Sequence, residues 1–213
     1  MYTPAKLYVR IRGLTPLLQH NAVHGMDPER GPKVKRIPTP EEEAERGTYR
    51  LPNGQLCVPL GALRSCLISG GIGYRVRNRA LTTILKGAII GLESIDGDPE
   101  WGPLVTHTDE AIHDYTIDIR PAFLKIRGGK VMVLRARPRI NEWECEFHIL
   151  YDQDFVGPDL IIETLSRAGI MVGILDFRPE KSGTFGRFEV ITWHVVDTED
   201  EQGPSGIATK SPA

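Results

Sequence analysis

One alternating segment constrains the fold of this chain more than any other feature. Between Trp143 and Tyr151 apolar residues occupy every second position, which is the period of a β-strand that buries one face. A helical apolar stripe follows at residues 158–168, with Gly169 as its C′ glycine, and a last strand follows at residues 187–196. The end of the chain therefore predicts a strand, a helix, a glycine-rich loop and a closing strand.

The rest of the chain predicts one more helix and several more strands. Residues 6–12 alternate as a half-buried strand, and residues 59–67 carry leucines at helical spacing. Residues 81–95 are apolar and strand-like, and strands at 116–126 and 131–139 flank a Gly-Gly turn. Without insertions the order is β-α-β-β-α-β. It predicts an α+β fold of the ferredoxin-like (RRM-like, split βαβ) kind, an antiparallel sheet with helices on one face.

Two segments lie outside this pattern. Residues 25–55 contain five prolines and few apolar residues, so we expect a long exposed loop or hairpin inserted after the first strand. After Asp197 the chain is polar and rich in Gly, Ser and Pro, which predicts a disordered tail at 198–213. We therefore expect a single domain over residues 1–197.

Charge is balanced over the whole chain and segregated along it. The formal net charge of −2 argues against a strong polyanion binder overall, yet residues 61–92 and 120–141 contain basic residues and no acid. Acid is concentrated at residues 41–45, 109–118 and 197–201. Two interpretations stay open: a local basic surface, or acidic and basic segments that lie side by side and cancel.

Cellular context follows from what the sequence lacks. No apolar run approaches the ~18 residues that span a bilayer, and the N-terminus has no apolar signal-peptide region. The three cysteines form no CxxC pair and leave one over if two are bridged. We therefore expect a cytoplasmic protein with reduced thiols and without a membrane partner.

The glycine-rich loop is the first candidate site. Glycines let backbone N–H groups approach a phosphate or a base closely, and three basic side chains, Arg178, Lys181 and Arg187, lie among them. Phenylalanines 177, 185 and 188 offer stacking surfaces, with Phe188 expected in the core because it opens the strand. The alternative is a structural turn. No GxxxxGK[ST] or GxGxxG motif is present, so we expect no nucleotide cofactor.

Catalytic and metal motifs are weak in this sequence. His20 and His24 have i, i+4 spacing, but Pro16 and the lack of a nearby carboxylate argue against a HExxH-type site, and we expect no metal. There is no GxSxG, and no cysteine has the local features of a catalytic thiol. The helix start at residues 57–67, with Gly61 and Arg64, is a possible anion site.

Three segments together resemble the repeat-associated mysterious protein (RAMP) superfamily. Its members include the crRNA-binding backbone subunits and processing endonucleases of CRISPR systems. The resemblance rests on the glycine-rich loop, on the helix start at residues 58–64 (VPLGALR) and on the TPLLQHN motif at residues 15–21. The whole pattern, including RPRINEWECEFHI at 137–149 and AGIMVGILDFRPE at 168–180, resembles a family of small phage and prophage proteins more closely.

The resemblance implies a non-enzymatic protein that binds single-stranded RNA or DNA along the glycine loop and a basic sheet face. It also implies that insertion 25–55 acts as a thumb-like element and that copies assemble along the strand. The residues expected to bind nucleic acid are Tyr8, Arg10, Arg12, His20, Asn21, Arg64, Lys125, Arg127, Arg135, Arg137, Gly173, Arg178, Lys181, Gly183, Gly186 and Arg187.

Two alternatives remain. One is a metal-independent RAMP-type endoribonuclease that uses His20 or His24 to activate a ribose 2′-hydroxyl. The other is a phage protein-interaction or inhibitory module that binds a host or phage protein through the acidic loops. The sequence does not distinguish RNA from DNA, because that choice depends on contacts with the 2′-hydroxyl.

Overall fold

A computed structural model describes residues 3–21, 38–126 and 128–196. It contains four α-helices in these ranges: α1 Pro40–Arg46, α2 Leu60–Gly70, α3 Leu81–Ala88 and α4 Pro158–Met171. The strands are β1 Pro4–Gly13, β2 Leu17–Leu18, β3 Cys57–Pro59, β4 Arg75–Val76, β5 Arg79–Ala80, β6 Ile89–Ser94, β7 Trp101–Val105, β8 Thr116–Ile126, β9 Gly129–Ile140, β10 Glu144–Asp152 and β11 Phe188–Val196. None of the four helices is long and apolar enough to cross a bilayer. The fold is mixed α+β.

The main sheet is antiparallel and centred on β1. β1 pairs with β11 on one side and with β10 on the other, so that Tyr8 lies opposite both His194 and His148. Two strands follow β10 on its far edge: β6 pairs along residues 147–151 and β7 pairs at residues 144–145. The first strand, the alternating strand and the last strand of the sequence are therefore neighbours in space.

The core lies between one face of this sheet and helices α2 and α4. Leu7 and Val9 of β1 and Phe147 of β10 are fully buried with residues of both helices. The two helices approach closely at Gly70 of α2. A Cβ at this position would lie only 2.6 Å from the Ala168 Cβ of α4, so the contact requires glycine. The opposite side of the sheet, called here the open face, carries the alternate residues of β1, namely Lys6, Tyr8, Arg10 and Arg12.

A long ribbon of two antiparallel strands, β8–β9, forms a second sheet together with β2. The sequence predicted both strands, and β9 begins two residues earlier than expected, so Gly129 of the predicted Gly-Gly turn belongs to the strand. The base of the ribbon is joined to the body by β2, which pairs Leu17 with Ile140, and by the packing of α1 against β9.

Two predicted segments differ from the structure. The insertion 25–55, expected as a loop or hairpin, contains helix α1, which begins with a capping box in which Thr39 and Glu42 bond each other's backbone N–H. Residues 81–95, expected as a strand, divide into helix α3 and strand β6. The N-terminal part of the insertion, up to residue 37, and the predicted tail 198–213 lie outside the described residues.

Candidate nucleic-acid interface

The glycine loop, residues 172–187, turns back on itself after α4. A Cβ on Gly183 would lie 1.7 Å from the Phe177 carbonyl oxygen, and one on Gly186 would lie 2.0 Å from the Ile174 carbonyl oxygen. Gly186 also has a φ of +66° and Gly173 a φ of +69°, a region that favours glycine. These three glycines are therefore required by the close packing of the loop backbone.

The loop is held against the segment that links β1 and β2. The N–H of Gly186 donates to the Pro16 carbonyl at 2.9 Å, and the N–H of Asp176 donates to the Leu18 carbonyl at 3.1 Å. The N–H of Arg187 donates to the Thr15 hydroxyl at 3.0 Å. The TPLL part of the first motif and the glycine loop are consequently one structural unit.

This unit forms one wall of a cleft of about 510 Å³, called here the loop cleft. The first half of the glycine loop faces the outer side of α2. His20, which follows β2, and Tyr49 form a third side of the cleft. The residues that line the loop cleft are His20, Tyr49, Ala62, Ser65, Cys66, Ser69, Val172, Gly173, Ile174, Leu175, Asp176, Arg178 and Glu180. All three segments that carry the family resemblance therefore converge on one concave surface.

The basic side chains of the loop have different surroundings. Arg178 donates to the Glu180 carboxylate at 3.0 and 2.8 Å and to the Leu175 carbonyl at 3.0 Å, so its charge is paired within the loop. Lys181 is exposed. Arg187 is half-buried, and its Nε is buried without a hydrogen-bond partner in the described part of the chain.

The loop phenylalanines are engaged in packing. Phe188 is fully buried, as predicted for the residue that opens β11. The Arg120 guanidinium lies 4.5 Å from the centre of the Phe185 ring, and the Arg137 guanidinium lies 4.9 Å from that of Phe177. These cation–π contacts join the loop to the ribbon and occupy ring faces that the sequence offered for base stacking.

The ribbon arginines are paired with carboxylates. Arg137 donates to Asp176 of the glycine loop at 2.5 Å, and Arg135 donates to Glu43 of α1 at 2.7 Å. Lys125 lies near the end of β8, opposite Lys130 in the register. Arg127 and His24 lie outside the described residues.

The open face of the sheet is also charge-balanced. Arg10 donates to Glu144 at 2.6 Å, to Glu146 at 2.7 Å and to Asp109 at 2.6 Å, and Arg12 donates to Glu144 at 2.6 Å. Acidic and basic strands therefore lie side by side at this place, which is the second of the two interpretations left open by the sequence.

Tyr8 is the centre of a ring cluster on the same face. Its ring stacks on His194, with centroids 4.6 Å apart, and meets His148 edge-on at 6.1 Å. Burial and the neighbouring Glu146 carboxylate raise the pKa of Tyr8 to about 12, so the phenol stays neutral at physiological pH.

Three further predicted residues have local structural roles. The Arg64 guanidinium donates to the Ile89 carbonyl at 3.0 Å, and Arg64 is not among the residues that line the loop cleft. Asn21 bonds the Gly47 and Thr48 carbonyls and fixes the chain after β2. His20 is exposed and lines the loop cleft, next to Tyr49, whose hydroxyl donates to the His20 carbonyl at 3.2 Å.

The cysteines are unsuited to nucleophilic chemistry. Cys57, Cys66 and Cys145 are all buried. Burial raises the pKa of Cys57 and of Cys66 to about 12, and it also raises the pKa of Cys145. In the part of the chain that the structure describes, no group of three or more His, Cys, Asp or Glu side chains could hold a metal ion.

The structure also reveals candidate residues that the sequence did not select. Tyr49 and Ser65 line the loop cleft, and a short β4–β5 hairpin presents Arg75, Arg77 and Arg79 to solvent. The available signal for the hairpin was the acid-free stretch that contains it.

In sequence comparisons the chain matches no protein-family model and no curated protein.

Proposed function

We propose that this protein binds single-stranded nucleic acid in the loop cleft and does not cleave it. The observation that carries the proposal is the convergence of the TPLLQHN motif, the outer side of α2 and the glycine loop on one cleft. The resemblance of the glycine loop, of residues 15–21 and of the start of α2 (residues 58–64) to the RAMP superfamily implies strand binding, and each of these segments contributes to the lining of the cleft.

The arrangement of elements supports a ferredoxin-like fold as part of the same proposal. The order β11-β1-β10-β6 is antiparallel throughout, with α2 between β1 and β6 and α4 between β10 and β11. This is the neighbour relation expected for a β-α-β-β-α-β chain. In that arrangement the glycine loop is the connection between the second helix and the last strand.

The dimensions and lining of the loop cleft support a nucleotide-sized occupant. A volume of about 510 Å³ lies within the usual range of ~300–1,000 Å³ for small-molecule sites. The lining combines hydroxyl groups of Ser65 and Ser69, the half-buried Tyr49 ring and main chain of the glycine loop. An aromatic ring supplies a stacking surface for any base, which suits binding without sequence preference.

Because many of its arginines are paired, the protein is expected to bind a strand less through charge than the sequence suggested. Arg10, Arg12, Arg135, Arg137 and Arg178 are all paired with carboxylates, so they contribute less to a basic field than their number implies. We therefore expect stacking and main-chain contacts in the loop cleft to provide much of the affinity, with a moderate salt dependence.

A charge introduced into the cleft tests the proposal directly. Ser65 is exposed on α2 and lines the cleft, so either charge is tolerated by the fold. We expect Ser65→Glu to weaken binding of fluorescein-labelled single-stranded DNA and RNA at least tenfold, and Ser65→Lys to strengthen it. Fluorescence anisotropy at several salt concentrations measures both, with Ser65→Ala as the neutral control.

Opposite signs for the two charged variants identify a polyanion in the cleft. Equal losses for Ser65→Glu and Ser65→Lys point to a protein partner instead, and no binding of either nucleic acid at low salt refutes the proposal. The triple variant Arg178→Ala, Lys181→Ala, Arg187→Ala is expected to weaken binding and to lower its salt dependence, while the stacking and main-chain contacts of the cleft keep part of the affinity. Side-by-side assembly of copies along the strand is expected to appear as cooperative binding to long strands.

A second candidate function is RAMP-type endoribonuclease activity, and the position of His20 favours it specifically. Its side chain is exposed within the same cleft, where it could accept a proton from a 2′-hydroxyl. Incubation of structured RNA with the protein in EDTA should then give cleavage that His20→Ala removes. Intact RNA in the wild-type reaction excludes this function.

A further inference from the structure

We propose that the β4–β5 hairpin is a second contact point for the same nucleic-acid strand, at the far end of α4 from the loop cleft. The inference rests on the proposed function and specifies the path of the bound strand. It identifies Arg77 and Arg79 as phosphate contacts and Phe155 as a stacking surface.

The hairpin presents its arginines in a fixed geometry. Arg77 and Asn78 form the turn with φ values of +45° and +66°, which are the left-handed conformations of a type I′ turn. The Arg75 guanidinium donates to the Asn78 carbonyl at 2.5 Å and braces this turn. Arg77 and Arg79 are therefore held at the tip by a short and closed piece of backbone.

The charge of these arginines is available to a ligand. Arg75, Arg77 and Arg79 are exposed, and in the described part of the chain none of them forms a salt bridge with a carboxylate. This distinguishes them from the paired arginines of the open face and the ribbon. Unpaired arginines attract phosphate without first losing an internal partner.

A second concave surface lies beside the hairpin and is called here the hairpin cleft. It has a volume of about 690 Å³ and is lined by Arg77 and Arg79 on one side and by the turn before α4 on the other. Phe155 of that turn is 60% exposed, so its ring is accessible to a ligand in the cleft. Asp154 in the same turn accepts a hydrogen bond from the Thr3 hydroxyl at 2.9 Å.

Guanidinium groups beside an exposed aromatic ring are the combination that single-stranded nucleic acid requires. The arginines contact phosphates, and the ring stacks on a base of any identity. An acidic peptide would use the same charges, but a nucleic acid supplies both an anionic phosphate and a planar base in every repeating unit. The chemistry of the surface therefore favours a nucleic-acid strand.

The segment after α2 leads from residues of the loop cleft to residues of the hairpin cleft. Ser69 lines the loop cleft, and five residues later Tyr74 immediately precedes the hairpin. The Arg167 guanidinium of α4 lies 3.6 Å from the centre of the Tyr74 ring, which is itself 49% exposed, and Arg167 donates to the Gly70 carbonyl at 3.2 Å. Tyr74 therefore lies in sequence between the residues that line the two clefts, and Arg167 does so within α4.

The length of α4 sets the span of the bound strand. The hairpin cleft is lined by Gly157 at the start of α4, and the loop cleft is lined by Val172 at its end. A helix of 14 residues is about 20 Å long. At the ~3.4 Å spacing of nucleotides along one strand of a duplex, a strand that occupies both clefts has at most about six nucleotides between them, and fewer if it is extended, whereas a trinucleotide reaches only one.

A length series therefore tests the path. We expect oligo-dT of 12 nucleotides to bind the full chain at least tenfold more tightly than the trinucleotide, because the second contact is made at high effective concentration. The double variant Arg77→Ala, Arg79→Ala should lose most of this gain and should lower trinucleotide binding far less. Its slope of log affinity against log salt for the 12-mer should fall by about 1.4, the value for two lost contacts on a single strand.

Two controls make the result specific. Arg77→Lys with Arg79→Lys keeps both charges and should retain most of the gain with length, while Phe155→Ala should reduce it without changing the salt slope. Equal loss of affinity for both lengths, or no gain with length beyond the number of available registers, overturns the second contact and leaves the loop cleft intact. Failure of both oligonucleotides to bind at low salt refutes the proposed function itself.

Discussion

Arg137 of β9 and Asp176 of the glycine loop form an ion pair of 2.5 Å that joins the ribbon to the body of the protein. Arg137 is 5% exposed, and its guanidinium also lies against the ring of Phe177. The pair therefore helps to fix the position of Asp176, which lines the loop cleft. A change in this pair should affect stability and the loop together.

Removal of the carboxylate should be costly. Asp176→Ala leaves the buried Arg137 charge without its partner, and we expect a loss of about 2–3 kcal/mol in the free energy of unfolding. This loss lies at or below the lower end of the range for removing one partner of a fully buried ion pair, because Asp176 is partly exposed to water. Urea denaturation followed by circular dichroism measures the change.

An exposed ion pair provides the control for this experiment. Glu163 and Arg167 of α4 are 3.7 Å apart at i, i+4 spacing, and the Glu163 side chain is 73% exposed. Glu163→Ala should cost no more than ~0.5 kcal/mol. Equal effects of Asp176→Ala and Glu163→Ala would contradict the structural role assigned to Arg137 and Asp176.

The glycine loop should tolerate side chains poorly where its backbone is most tightly packed. Gly183→Ala places a methyl group 1.7 Å from the Phe177 carbonyl oxygen, so the loop must move. We expect a loss of at least about 2 kcal/mol in stability. Gly61→Ala on α2 is the matched control: its Cβ meets nothing within 4 Å, and alanine favours a helix by up to ~1 kcal/mol.

Thermal unfolding of both alanine variants distinguishes a packing requirement from a general effect of losing glycine. A stable Gly183→Ala protein with unchanged melting temperature would show that the close contact is readily relaxed. If that variant also kept full nucleic-acid affinity, the loop conformation would not be needed for binding.

The strong periodic segments were predictable from sequence, and the ambiguous ones were not. The alternation that ends at Tyr151 and the helix stripe of α4 identified their elements, because each pattern extends over two or more repeats. Residues 81–95 are largely apolar without a clear period, and such a segment fits a buried helix as well as a strand. Leu81, Leu85 and Ala88 in fact face the core at helical spacing. The capping box at Thr39 and Glu42 was a readable helix signal within the insertion.

The pairing of charged side chains could not be predicted from the sequence. Arg10 and Glu144 are 134 positions apart, and they meet only because β1 pairs with β10 in one particular register. A shift of either strand by one residue would turn the side chains of that strand to the other face and separate the pair. The convergence of the motifs could be anticipated from the family resemblance, but the free arginines of the β4–β5 hairpin required coordinates that show which cations have partners.

The buried thiols should be unreactive in the native protein. Because burial raises the pKa of Cys57 and Cys66 to about 12 and also that of Cys145, little thiolate exists at pH 8. We expect negligible reaction with Ellman's reagent in buffer and reaction of all three cysteines in denaturant. Ser65→Cys supplies an exposed thiol as a positive control, and rapid native labelling of the wild type would contradict the burial of these residues.

Acid should weaken the protein through Glu144 of the open face. Burial alone would raise the pKa of this carboxyl, but hydrogen bonds from Arg12 and Arg10 outweigh that effect and hold its pKa below the usual value. A carboxylate with a lowered folded-state pKa contributes stability above its unfolded pKa of about 4.3, and that contribution is lost as the pH falls through the folded pKa. Stability should therefore begin to decline below about pH 5.

Glu144→Gln separates this contribution from general acid unfolding. The difference in free energy of unfolding between wild type and Glu144→Gln should be largest at pH 7 and should shrink steadily towards pH 3, in urea titrations at fixed ionic strength. Glu142→Gln, an exposed neighbour in the turn before β10, is the control and should leave the pH profile unchanged. A constant difference across this pH range would show that the Arg10 and Arg12 contacts do not depend on the charge of Glu144.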